Sequence, residues 1–288
     1  MKKVRIFTPC WGILHAARLQ RALVRSLAWP QNAAALKDNV VEWRIFTRQV
    51  DAARIKDILA PLGFPITITV IDVNKQPCPL IDAARSVLRD CRDDGSMFMT
   101  AFPDIVFGDG SIRTMMELAQ QEESCVIAPH IRVTPNFMPA MTDPMFGPSL
   151  VTTALAHAHS TWTEACSKRR VSNTFYGGVS WEQIGDLYYV RHSLPNPWIA
   201  NITASDIEWF DKEPQWGTYD HNWPAKIMDE GRAVIVGSSD AAFIVEVTDQ
   251  LKNNANLVSL DPQDPDKFYR KEPHHKDLRS YVTVFRPQ

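Results

Sequence analysis

Two acids five residues apart, Asp104 and Asp109, close the stretch SMFMTAFPDIVFGDGS that runs from Ser96 to Ser111. They are the side chains best placed to do chemistry. Met97, Phe98, Met99, Ala101 and Phe102 leave little polar surface, so the run before them reads as a buried strand. Pro103 and the Gly108-Asp109-Gly110 turn stop that strand. Both acids then stand near its carboxyl end, where open α/β sheets form ligand crevices. Carboxylates in such a place could hold a divalent cation, and the cation could hold phosphate. A structural reading uses the same residues differently. Asp109 would cap a helix starting near Ser111, and Asp104 would be solvated.

The elements that must position these acids follow from periodicity. Val4 to Thr8 is a short apolar strand ended by Pro9 and Gly12. Ile13 to Ala28 is an amphipathic helix with Leu14, Leu19, Leu23 and Leu27 on one broad face. Strands at Val41 to Thr47 and Ile66 to Asp72 alternate with helices at Asp51 to Leu62 and Ile81 to Arg92. After the strand at Ser96 to Phe102 come a helix from about Ser111 to Gln121 and a strand at Cys125 to Ala128. Strands alternating with helices predict an α/β fold with a doubly wound, mainly parallel sheet. Right-handed crossovers then gather the strand ends on one edge. That edge carries Thr8 to Gly12, Arg48, Asp72 and the Asp104/Asp109 segment. The Gly-x-Gly-x-x-Gly fingerprint and the Gly-Lys-Ser/Thr of a P-loop are both missing from the sequence.

After Arg132 the pattern turns irregular. Thr134 to Pro148 is rich in Pro and Met and reads as a loop, and Leu150 to Lys168 as a helix. Trp181 to His192 reads as strands around a Gly185-Asp186 turn, with further strands at Arg232 to Val236 and Ala242 to Val247. The expected division is residues 1–132 as one α/β half and 133–288 as an irregular, mixed α+β half, packed as one continuous domain. A formal net charge of −2 gives no electrostatic footprint for nucleic acid. Five scattered cysteines without a Cys-x-x-Cys indicate reduced thiols and a cytoplasmic setting. No apolar run is long enough to span a membrane.

Several segments together resemble a known family. They are Thr8-Pro9-Cys10-Trp11-Gly12, Pro103-Asp104-Ile105-Val106-Phe107-Gly108-Asp109-Gly110-Ser111, and a late set of Thr218, Asp220, Ser239-Asp240 and Glu246. The chain resembles the nucleotide-sugar-dependent glycosyltransferases of the GT-A fold, and a bacterial and phage glycosyltransferase-like group among them. The resemblance spans about Lys3 to Asp249. It departs in its acids, since that fold usually carries Asp-x-Asp. Asp104 matches that motif first and Asp109 second. In the group a His-rich stretch ends in Pro; here Arg191-His192-Ser193-Leu194-Pro195 carries one His.

The resemblance implies a sugar transferred from a nucleotide-sugar donor to an acceptor hydroxyl. Mn²⁺ or Mg²⁺ would sit near Asp104, with Asp109 and His192 as helpers. The acceptor base would be a carboxylate of the second half: Asp206, Asp220 or Asp240. Asp206 would otherwise cap a short helix, and Asp220-His221 would be a surface turn. In the donor site Trp11 would stack on the base and Thr8 bond its edge, within the Pro9 to Gly12 loop. Trp11 could equally pack on the first helix. Arg48 and Arg85 would reach the diphosphate, and Arg191 would hold sugar or phosphate by its fork. The acceptor would be a glycan, a small molecule or a modified DNA base. Two alternatives stand beside this reading: a phage-type DNA-base glycosyltransferase working in the host cytoplasm, with a groove near Lys168, Arg169 and Arg170, and a ligand-binding module without turnover.

Overall fold

Successive side chains of a strand point to opposite faces of its sheet, and that alternation builds two cores here. In β1 (Val4–Pro9), Ile6 enters one apolar cluster and Phe7 another; in β4 (Met97–Thr100), Met97 and Met99 join Ile6 while Phe98 joins Phe7. The computed structural model describes residues 2–72, 79–120, 123–159, 162, 170–172, 179–192, 198–212, 223, 226–249, 257–259 and 282–288. Among the described residues, no helix is long and apolar enough to cross a membrane.

Among the described residues the central sheet has seven strands. β2 (Val40–Thr47) lies beside β1, and β3 (Ile66–Val70) beside β2, both parallel. β4 flanks β1 on the other side, also parallel. Beyond it come β11 (Ile199–Ala200), β6 (Cys125–Ile127) and β12 (Ala233–Ile235). β11 runs antiparallel between β4 and β6, and β6 and β12 pair in parallel. The sheet is thus α/β, doubly wound and mainly parallel, as the sequence predicts, and it takes strands from both sides of residue 132.

Helices cover both faces, as buried parallel sheets require. α1 (Ile13–Arg18) passes through a π-helical turn (Leu19–Val24) into α2 (Arg25–Leu27), and its buried Leu19, Leu23 and Leu27 meet Ile6 and Trp43. α4 (Ala52–Leu59) packs into the same cluster through Ile55 and Leu59, and α6 (Ser111–Leu118) through Ile112 and Met115. The opposite face is covered by α5 (Pro79–Asp94) and α9 (Ala204–Lys212), which bring Ile81, Val87, Leu88 and Phe210 onto Phe7, Phe46 and Phe98.

Several elements were not expected. α3 (Pro30–Leu36) follows directly on α2, with Pro30 at its first turn. β5 (Ile105–Phe107) continues past Asp104 and leaves the central sheet. It pairs antiparallel with β13 (Ile244–Val247), which pairs in parallel with β7 (His130–Val133). This small sheet rests on α7 (Phe137–Ala140) and α8 (Gly147–Ala156), with Phe137, Leu150 and Val151 in its core. The helix expected from Leu150 starts earlier and ends at Ala156. β8 (Arg170–Ser172) pairs with β14 (Leu257–Ser259). The predicted hairpin is present as β9 (Val179–Ile184) and β10 (Leu187–His192), extended by β15 (Thr283–Phe285).

Candidate functional site

From β1 the chain moves outward to β2 and β3, then returns past β1 to β4 on its other side. That reversal leaves a crevice beyond the carboxyl ends of β1 and β4. One wall is the segment after β1. Cys10 N–H donates to the Phe46 carbonyl at 2.9 Å, and Gly12 N–H donates to Asp51 Oδ2 at 2.9 Å. Arg48 Nε donates to the same oxygen at 2.8 Å. Gly12 has φ +85°, a backbone conformation that a Cβ disfavours. Trp11 is half-buried beside it, and the Arg48 side chain is 40% exposed on the rim. Pro9, Trp11, Gly12 and Arg48 therefore share one rim of the crevice.

Thr8 does not join them. It is fully buried, and its hydroxyl donates to the Ala101 carbonyl at 2.6 Å and accepts from Trp43 Nε1 at 2.9 Å. Both roles of the hydroxyl go to tying strands together, so it has no edge to offer a base. The Cys10 thiol is pushed up to about 12 by burial, then by the charges of Asp51 and Asp104. It is no nucleophile at neutral pH.

The facing wall is built by β5 and β13. The Asp104 carbonyl accepts from Val247 N–H at 2.8 Å, which fastens it to the carboxyl end of β13. That pairing brings Glu246 and Asp249 alongside. The Asp104 side chain is 22% exposed, and Arg18 Nη1 stands 4.0 Å from its Oδ2. Arg18 Nη2 donates to Asp249 Oδ1 at 2.6 Å. Arg132, in register with Glu246, donates from Nε to Glu246 Oε2 at 3.1 Å. Burial, and then the Glu246 charge, raise the Asp104 carboxyl to about 7, against the pull of its own backbone N–H, Arg18 and Arg132. His130 Nε2 lies 3.7 Å from Glu246 Oε2. Burial, with Arg132 beside it, lowers the imidazole to about 3. It is neutral at pH 7, and this contact is not an ion pair.

Two guanidinium groups thus face three carboxylates: Arg18 and Arg132 against Asp104, Glu246 and Asp249. An ionised Asp104 leaves one negative charge in excess. A proton or a divalent cation removes it. Among the described residues, no group of three or more His, Cys, Asp and Glu side chains is placed to hold a metal ion by itself. A divalent cation here would have one or two carboxylates from the protein and would need water or substrate oxygens to complete its shell.

Asp109 is not part of this centre. It is buried, and its Oδ1 accepts from the N–H groups of Gln31 at 2.8 Å and Asn32 at 3.1 Å. It is a helix cap, as the structural reading had it, but it caps α3. The amino end of α6 is served by Asn32 Oδ1, which accepts from Gly110 N–H at 3.1 Å and Ile112 N–H at 3.3 Å. Asp109 and Asn32 thus cap each other's helices, and Asp109 Oδ2 is buried without a hydrogen-bond partner among the described residues.

Asp206 is likewise engaged. It is fully buried at the amino end of α9, where its Oδ2 accepts from Thr203 N–H and Oγ1, both at 2.9 Å. Arg232 Nη2 donates to Oδ2 at 2.8 Å; Lys226 Nζ at 3.1 Å and Trp223 Nε1 at 3.0 Å donate to Oδ1. Despite burial, the hydrogen bonds from Arg232 and Trp223 hold its carboxyl down at about 2. A base so stabilised as an anion takes no proton at neutral pH. Asp240 pairs with Arg286 at 3.2 Å and precedes the opposite end of β13 from Asp104. Arg85 donates from Nε to the Phe210 carbonyl at 2.7 Å and from Nη1 to Asp82 at 3.0 Å, locking α5 to α9. These three residues serve the scaffold where they stand. Asp220 and the Arg191 and His192 side chains lie outside the described residues.

Sequence reasoning missed Arg18, Arg132 and Asp249, and quoted Glu246 without a role. A signal for Arg18 exists in the sequence. It precedes the buried Ala22 and Ser26 by four and eight residues, which puts a cation on an inward face of the helix.

No protein-family model matches the chain, and no curated protein matches it. Solved structures similar to it include the inositol-1-phosphate CTP transferase from T. maritima, at 10% identity and a TM-score of 0.40, covering 97% of this chain and 98% of that one. Another is 4-diphosphocytidyl-2C-methyl-D-erythritol synthase from Anaerococcus prevotii, at 12% identity and a TM-score of 0.40, covering 88% and 92%. Likeness of this degree says nothing of this chain's own activity.

Proposed function

We propose that the chain is a transferase that moves a sugar from a nucleotide-sugar donor to an acceptor hydroxyl in the crevice around Asp104. The observation that carries this reading is Asp104 itself. It stands at the switch point of a doubly wound sheet, half-buried, with Glu246 and Asp249 beside it and two arginines against it. Asp104, with Glu246, would hold a divalent cation, which would supply Lewis-acid neutralisation of the leaving diphosphate. Trp11 would stack on the nucleobase from the opposite rim. Arg48 would meet phosphate there, since among the described residues its guanidinium is tethered to Asp51 through Nε alone. Gly12 would let the ligand approach the backbone closely. Asp220 is the proposed acceptor base, because Asp206 and Asp240 are engaged in structural contacts.

The test is thermal stability against a panel of UDP-, GDP- and CDP-sugars, each with Mn²⁺, Mg²⁺ or EDTA. A ligand at a hundred times its dissociation constant adds about 2.7 kcal/mol. One metal-dependent shift, lost in Asp104→Ala together with transfer, is the expected result. Donor binding and transfer unchanged in Asp104→Ala would refute the reading.

A further inference from the structure

We infer that Arg18 is an oxyanion-binding residue of the crevice, held by Asp249 until a substrate phosphate takes that carboxylate's place. The inference deepens the function proposed above and rests on it for the identity of the ligand, a diphosphate.

The Arg18 side chain is buried, 6% exposed, at the end of α1. Its Nε is buried and finds no hydrogen-bond acceptor among the described residues. Nη1 stands 4.0 Å from Asp104 Oδ2, too far for a hydrogen bond. Among the described residues its one hydrogen bond runs from Nη2 to Asp249 Oδ1 at 2.6 Å. A guanidinium offers Nε and Nη2 along one edge, and that edge binds two oxygens of a carboxylate or phosphate in parallel. Here the edge holds a single oxygen and leaves a buried donor empty. An unmade hydrogen bond on a buried charge is costly, so the arrangement favours a ligand that fills both positions.

Asp249 is suited to yield. Its side chain is 56% exposed, so it regains water when it leaves. A phosphate on the Nε/Nη2 edge leaves Nη1, the nitrogen 4.0 Å from Asp104 Oδ2, on the other side of the guanidinium, and a divalent cation held by Asp104 would offset the charge it brings. That cation also answers the charge problem, because the crevice already holds three carboxylates against two guanidinium groups.

The probe is inorganic pyrophosphate with Mg²⁺, followed by calorimetry on the full chain. Arg18→Lys keeps the charge and loses the two-donor edge; it should weaken binding at least tenfold. Asp249→Asn removes the competing charge at an exposed position and should tighten binding about threefold or more. Pyrophosphate that binds Arg18→Lys as it binds the unaltered chain, or fails to bind the latter at all, overturns the inference. So does an Asp249→Asn variant with unchanged or weakened affinity, and that variant decides the matter if Arg18→Lys does not fold. Donor binding distinguishes this inference from the broader reading. Pyrophosphate held through Arg18 with no nucleotide sugar bound would sink the transferase and leave the oxyanion site standing. A nucleotide sugar bound and transferred equally well by Arg18→Lys would do the reverse.

Discussion

Asp104→Asn tests the electrostatics of the crevice directly. The carboxyl is lifted from 3.8 to about 7 by burial and by Glu246. A folded state that holds this proton more tightly than the unfolded chain is favoured at low pH. The stability it contributes is full below 3.8 and is lost as pH rises through about 7. About 3 pH units at 1.36 kcal/mol each correspond to ~4 kcal/mol. Water reaches a side chain that is 22% exposed and screens the repulsion, so the net penalty at pH 8 is on the order of 2 to 4 kcal/mol. Asparagine keeps the shape and removes the charge. Its advantage over the unaltered chain should grow by on the order of 1 to 2 kcal/mol between pH 5.5 and pH 8, since about half of the window is crossed there. Urea unfolding at both pH values reads this as a shift in midpoint at constant slope. Glu246→Gln should flatten the pH dependence of the unaltered chain, because it removes the like charge. Millimolar Mg²⁺ at pH 8 should stabilise the unaltered chain and not Asp104→Asn. An Asn variant that is no more stable at pH 8, or whose advantage is equal at both pH values, would refute the reasoning.

Asp206→Ala strips the partner from Arg232 and Lys226 in a buried site and should cost about 3 to 5 kcal/mol in urea unfolding. The unaltered Asp206 contributes stability that is present above pH 3.8 and lost as pH falls through about 2, so acid unfolding of the unaltered chain should report it. Asp109→Ala removes the cap of α3 and should cost about 1 to 2 kcal/mol, with pyrophosphate affinity unchanged by calorimetry. Gly12→Ala meets no close atom, since the nearest, Arg48 Nη2, is 3.7 Å from the added Cβ. Its φ of +85° with ψ 158°, a region essentially reserved for glycine, should alone cost about 1 to 3 kcal/mol in thermal unfolding.

The first four strands and the helices between them are legible because each carries its own local signal, an apolar run or apolar alternation for the strands and a 3.6-residue stripe for the helices. The elements that were missed lack such a signal. β5 is three residues long and lies between turn signals, and β11 has two residues. Each exists because a partner from far along the chain completes its hydrogen bonds. α3 follows α2 with Pro30 at its start, and its free N–H groups are met by Asp109, a residue no local pattern connects to it. For the same reason Asp109 and Asp206 look like catalytic acids in one dimension. Each is an acid beside a helix start, and only the fold shows that Asp109 Oδ1 meets the N–H groups of α3 and that Asp206 meets Arg232 and Lys226.

Asp104 was legible because a strand end followed by Pro-Asp points outward from any parallel sheet. Its partners were not, because they depend on one long-range pairing. β13 runs antiparallel to β5, so the residues at its carboxyl end come to the beginning of β5, where Asp104 stands. The Val247 N–H bond to the Asp104 carbonyl fixes that register. A slip of one residue would turn Glu246 to the other face of the small sheet and away from Arg132. The chemistry of Asp104 is therefore set by the pairing of β5 with β13 as much as by its place after β4. Without that pairing its carboxyl would lose the like charge that helps to lift it, and Arg18 would lose the acceptor that now holds its Nη2.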